Sequence, residues 1–383
     1  MPYYPDIEWS IQVCSILGSS PATNFTKMQV FRFLLTSCLL LGMPFLTFWN
    51  FLKKGATLLE FVEAMSNFTT FTHSLVKTTV MFFNRKKIKK LFDITKDEFW
   101  PLPDYEKTAR YTRIGRNFFF GLSFGFSACA VAKLYIYGES KAGLYRPDWC
   151  PQQLFFALVD MMYIYMTLGI NACDITFRTI LILIIAQFKM LNEEVLTMFD
   201  PKKDVKLSRK DFKKRFKRCV DHYSLMLDFS KGVCEAFDKA FIVMIGASML
   251  STCASLYIIM GHKNMQQIVE RLFHIGIVFY AVGYCYANLG QELSNEVEDV
   301  TQSVYLSHWE TLVLDHESRD FLLFFTRSQR KYALSAAGFI QFDLDLDMFM
   351  VLIKSAISYC MCVVYSAVVL QQISQRCRFS DFC

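Results

Sequence analysis

Few residues in this chain are typed and spaced for catalysis. Gly121-Leu-Ser123-Phe-Gly125 spells the G-x-S-x-G of a nucleophile elbow, in which a serine sits on a strained turn between strand and helix. Here the five residues lie inside the apolar run FFFGLSFGFSACA, so the match reads instead as G-x-x-x-G, a notch that lets helices approach closely. The six histidines, His73, His222, His262, His274, His308 and His316, form no H-E-x-x-H pair, and His316 to Asp320 is one residue short of a His-x4-Asp acyltransferase motif. The 13 cysteines contain no C-x-x-C; Cys150, Cys377 and Cys383 are the ones expected on the outer side, and a disulfide from Cys150 has no assignable mate. Asp343, Asp345 and Asp347 have the spacing of the first ligands of a calcium loop, but Met348 stands where that loop needs Gly and Lys354 where it needs Glu. The expectation is a chain with no enzyme activity, no metal and no cofactor.

What must position the remaining candidates is a membrane bundle. With 53% hydrophobic and only 20% charged residues over 383 positions, the composition excludes a soluble globular chain as well as disordered, collagen-like and disulfide-scaffold classes. Seven apolar stretches are long enough to cross about 30 Å of hydrocarbon. They run from Met28 to Leu52, Leu58 to Phe83, Phe118 to Tyr137, Leu154 to Phe188, Ala236 to Met260, Ile268 to Leu289 and Met348 to Ile373. The fold class is therefore all-α: a seven-transmembrane helical bundle with a helical domain on the cytoplasmic side.

Lys and Arg alternate between the connections. The first carries Lys53 and Lys54, whereas the second carries Arg85, Lys86, Lys87, Lys89, Lys90, Lys96, Lys107, Arg110, Arg113 and Arg116. The fourth, Lys189 to Arg218, is again basic, and the third and fifth are nearly bare. The positive-inside rule then puts the N-terminus inside and the C-terminus outside, the reverse of a G-protein-coupled receptor. All nine prolines lie at or before Pro201, with Pro44 alone inside a span. Spans four to six are thus free to run on as unbroken helices into the cytoplasm. Phe212, Phe216, Val220 and Tyr223, with Val297, Val300 and Val304, give their inner ends apolar faces that need partners. The period-two run from Phe342 to Met348 reads as extended chain.

Charges inside spans are the default pointers to function. They are Lys77, Lys133, Asp160, Asp174, Arg178 and Lys354. Arg178 has Asp174 at i−4 as a mate. Asp160 has no local one, and Lys133 across the bundle is the candidate; an unpaired Asp160 facing a cavity would favour amines. The outer halves of spans two, three, four and six share a character that suits a small apolar cavity with a few hydrogen-bonding groups. Those faces are Met65, Phe68, Thr69 and Thr72; Ser127, Ala130 and Leu134; Met162, Tyr163 and Met166; and Phe273, Ile277 and Tyr280.

The C-terminal third resembles an insect odorant receptor. The residues that carry the likeness are Tyr284-Cys-Tyr286-Ala-Asn-Leu-Gly-Gln-Glu-Leu-Ser294, Val304-Tyr305 and Trp309, Arg327-Ser-Gln329, Leu334-Ser-Ala-Ala-Gly338-Phe339, and Phe349-x-x-x-Ile353-Lys354 leading to Ser358-Tyr359. Val364-Tyr365-Ser366 departs from the Thr-Tyr-x5-Gln-Phe ending of the related gustatory receptors, and the short fourth connection lacks the long insertion of the co-receptor subunit. The likeness implies an odour-specific tuning subunit of a ligand-gated, non-selective cation channel, a tetramer formed with the odorant receptor co-receptor in the plasma membrane of olfactory sensory neurons. A small neutral volatile ligand would bind between spans two, three, four and six, and the last span would line the pore with a gate at Val368, Gln371 and Gln372. The domains expected on this basis are a cytoplasmic segment over 1–27, spans one to six with the odorant pocket over 28–290, a cytoplasmic helical anchor that holds the subunits together over 291–342, the pore-lining span over 343–373 and an extracellular tail over 374–383.

Overall fold

The computed structural model describes residues 4–21, 26–54, 58–103, 105–141, 144–198, 209–261, 265–307, 316–330, 332, 334–336 and 342–380. Its elements are, in order, α1 (Pro5–Ile16), α2 (Lys27–Lys54), α3 (Leu58–Phe83), α4 (Arg85–Asp97), α5 (Tyr105–Lys141), α6 (Gln152–Leu196), α7 (Arg209–Gly261), α8 (Met265–Val282), a π turn (Gly283–Ala287), α9 (Asn288–Leu306), α10 (His316–Ser328), β1 (Ser335–Ala336), β2 (Phe342–Asp343) and α11 (Leu346–Ser380). The seven apolar stretches fall on α2, α3, α5, α6, α7, α8 running through the π turn, and α11. Among the described residues five helices are long and apolar enough to cross a membrane by length and composition alone. Helix α3, of 26 residues, carries Glu60, Glu63 and Lys77, and α11 is 35 residues long.

Helices α6 and α7, of 45 and 53 residues, overrun a bilayer as the missing prolines allow. Their ends, with α9, form a packed body outside the membrane-length portion. Val297, Val300 and Val304 are buried, as are Phe212 and Tyr223, and α10 closes over Phe216 and Tyr223. Phe216 meets Phe321 at 5.6 Å between ring centroids, and Tyr223 meets Phe324 at 5.4 Å. These apolar faces thus find partners within the chain. Helix α1 begins with Pro5 at its first position and acids at Asp6 and Glu8, a favourable helix start; Ser10 then hydrogen-bonds Thr176 of α6.

Two expectations are corrected. Gly121 and Gly125 lie on α5, but a Cβ at either would meet nothing within 4 Å, so among the described residues this pair is no packing notch within the chain. Close approach occurs instead where a Cβ on Gly169 would strike Ser74 and Thr78, and one on Gly290 the Leu344 carbonyl. The extended run before the last span is shorter than its alternation implied: Ala336 pairs with Phe342 and Ser335 with Asp343. Asp345 then accepts the Met348 N–H at 2.7 Å and starts α11, because a carboxylate at this point satisfies an otherwise free helix donor.

Candidate functional site

Helices α3, α5, α6, α7 and α8 enclose a cavity of about 100 Å³. Its walls are apolar where α8 supplies Ile277, Val278 and Ala281, α7 supplies Met244 and Ala247, and α5 supplies Phe126. Thr69, Thr70, His73 and Lys77 come from α3, and Met166, Thr167, Ile170, Asn171 and Asp174 from α6, each set spaced to keep one helical face on the void.

Toward the C-terminal end of α3 the cavity closes on a charged floor. Lys77 and Asp174, both about 1% exposed, form an ion pair, and the Tyr286 hydroxyl donates to the same Asp174 oxygen. One turn further along α6, Arg178 donates to the Tyr284 hydroxyl at 2.8 Å and to the Thr112 carbonyl at 3.1 Å. Asp174 and Arg178 are therefore not each other's mates, as the i−4 spacing implied. Each faces a different helix, because in a low-dielectric interior a charge is held best by groups aimed at it from neighbouring elements. Tyr284 and Tyr286 both belong to the π turn, a feature that often marks functional sites.

The sequence-derived faces divide into three groups. Thr69, Met166 and Ile277 line the cavity, and Ser127 reaches it indirectly by hydrogen-bonding Thr167. Leu134, Met162 and Tyr163 are buried away from the void in an apolar cluster that runs from Met166 toward the 144–150 loop, where Tyr163 meets Phe71 at 5.3 Å, and Ala130 packs against that cluster. Met65, Phe68 and Phe273 are exposed on the surface of the chain, while Thr72 is half-buried outside the cavity lining. Tyr280 stacks on Tyr284 at 4.9 Å. Asp160 accepts the Tyr135 hydroxyl at 2.8 Å and is not among the lining residues; the Lys133 side chain proposed for it lies outside the described residues. Cys150 is a buried free thiol. Val368, Gln371 and Gln372 fall on α11, their side chains also outside the described residues.

Sequence reasoning left out the contribution of α7. Met244, Ala247, Ser248 and Ser251 form a face whose small residues were its only signal. It also missed His73, Asn171 and His274 as lining groups. His274 lies between the Ser251 and Ser255 hydroxyls, at 3.3 and 3.0 Å.

Residues 57–377 match the model of the family described as 7tm Odorant receptor. Among solved structures, the chain is similar to the insect olfactory receptor OR5 from Machilis hrabei, with a TM-score of 0.72 and 14% identity over 93% of this chain and 97% of that one. The same receptor in complex with eugenol gives a TM-score of 0.73 and 15% identity over 94% and 98%. A search of curated proteins found no match.

Proposed function

The chain belongs to the seven-transmembrane odorant receptor family, and on that premise we propose that it is the odorant-binding tuning subunit of a heteromeric, ligand-gated, non-selective cation channel in the plasma membrane of olfactory sensory neurons. The observation that carries the reading is the cavity. It lies between helices, is mostly apolar, and has a few placed polar groups, as a site for a small neutral volatile molecule requires. A similar receptor of this fold has been solved with eugenol. The distribution of Lys and Arg supports an inside N-terminus and an outside C-terminus, against a metabotropic receptor. In this reading α11 lines the pore, Val368 narrows it by dewetting, and Gln371 and Gln372 hydrate the ion beyond it. No catalytic step is involved.

Recording from cells that express the chain with and without the co-receptor tests this. Odorants are expected to evoke current only when both are present, with a reversal potential indifferent to exchange of sodium for potassium. Val368→Thr should raise basal current and leave the odour ranking unchanged. Odour responses from the chain alone that need a G protein would favour the metabotropic alternative.

A further inference from the structure

We propose that the cavity selects neutral ligands bearing a hydroxyl group, which donates its hydrogen to Asn171 Oδ1, with His73 Nε2 as the second polar contact available. The inference rests on the odorant reading of the cavity and names the ligand chemistry within it. Most polar groups in the wall already have partners. Lys77, Asp174 and Tyr286 satisfy one another, His274 has two serines, and Thr69 and Thr70 bond back to carbonyls of their own helix at 2.8 and 3.0 Å. Asn171 Oδ1 and His73 Nε2 are buried without a partner.

Asn171 is fully buried, and its Nδ2 donates to the Thr167 carbonyl at 2.7 Å. That bond fixes which end of the amide is left over. Turning the amide would set Oδ1 against a carbonyl oxygen, two acceptors facing each other. The unpaired atom is therefore an acceptor, and no ether, ester or ketone oxygen can satisfy it. A hydroxyl can, and its own lone pairs remain open to a donor such as the imidazole Nε2–H in one tautomer. An amine cation could donate to Oδ1 but would bury its charge beside Lys77 with no carboxylate to offset the desolvation, since Asp174, the one carboxylate among the described lining residues, is held by Lys77 and Tyr286. A carboxylate would bring acceptors to an acceptor. At about 100 Å³ the void suits a small ring or short branched chain, and Met166 and Met244 can adjust to it.

The test uses the full chain with its co-receptor and a broad panel of alcohols matched with their methyl ethers, among them phenol and anisole, benzyl alcohol and benzyl methyl ether, and isoamyl alcohol and its ether. Among pairs that evoke current, the alcohol should act at concentrations roughly tenfold lower. Asn171→Leu should close that gap by weakening the alcohol while the ether is unchanged or improved. Should that variant not reach the surface, Asn171→Thr can return its hydroxyl to the i−4 carbonyl and leave only a methyl toward the void. Ethers that equal or outperform their alcohols, or a gap that survives at normal surface levels in these variants, overturn the proposal and leave the channel reading intact. No current from any compound, with both subunits at the surface, overturns the channel reading and this inference together.

Discussion

Helix α6 has two characters along one axis. From residue 171 to 181 every side chain is buried, because the helix is surrounded: α1 reaches Thr176, Phe237 and Phe241 of α7 meet Phe177, and Tyr286 comes from the π turn. From residue 152 to 170 burial follows one stripe, Phe155, Val159, Met162, Met166, while Leu154, Leu158, Met161 and Ile164 face outward. The cavity lies at the junction of the two halves. A ligand site needs one wall that yields and one that does not; the Met-rich first half can give, and the enclosed second half holds Asn171 and Asp174 in place.

The largest effect should come from the charged floor of the enclosed half. Lys77→Met or Asp174→Leu alone strands a charge in the bundle, a loss of about 3–5 kcal/mol against a typical total stability of roughly 5–15 kcal/mol. Either single variant is expected to vanish from the cell surface, as measured with an external tag. The pair Lys77→Met with Asp174→Leu should recover much of it, leaving Tyr286 as the group without a partner. Singles that reach the surface at the level of the unaltered chain would show that the enclosed half tolerates what a close-packed, low-dielectric region cannot.

A middle-sized effect separates packing from recognition. Phe177 is fully buried among Phe237, Phe241 and Tyr286, so Phe177→Ala opens a void in a filled region at about 3–5 kcal/mol and should reduce surface protein. Ile277 is half-buried and already borders a void. Ile277→Ala should leave surface levels near normal while shifting the dose-response toward larger odorants. If both variants change expression alike, the cavity wall is as rigid as the enclosed half and the two halves of α6 do not differ as described.

Much of the architecture was legible because apolar period and length act locally. The spans, the long helices after Pro201 and the buried Val297, Val300 and Val304 all follow from spacing within one element. The site was legible only as faces. Periodicity says which side of α3 or α6 turns inward but not at which depth a void opens, so Met162, Tyr163 and Met166 share one apolar cluster while only Met166 of the three borders the void. The charges were flagged, but Lys77 and Asp174 are 97 residues apart, and sequence offers only the i−4 neighbour. The glycine pair is a related case: G-x-x-x-G marks a surface that can admit a helix, and in α5 none of the described residues of this chain occupies it.

The smallest effect belongs to an ion pair at the far end of α6, where the enclosed half emerges from the bundle. Arg215 of α7 reaches Glu194 through Nη2 at 2.8 Å and Nε at 2.9 Å, both on one carboxylate oxygen. In arrangement this resembles the Lys77–Asp174 pair, a cation and a carboxylate on adjacent helices. Its surroundings differ, since the two side chains are 29% and 34% exposed against 1% and 1%. Water screens the charges and would solvate either one left alone, so Glu194→Gln should cost no more than about 1 kcal/mol. Surface expression should be unchanged, and the melting temperature of the purified receptor should fall slightly at low salt. At 1 M salt, where screening acts within roughly 3 Å, the difference from the unaltered chain should disappear. Salt should not rescue Lys77→Met, whose stranded carboxylate no ion can reach. A Glu194→Gln variant as damaging as Lys77→Met, or one indifferent to salt, would mean that the close-packed character of α6 extends to its exposed end and that burial does not divide these two pairs.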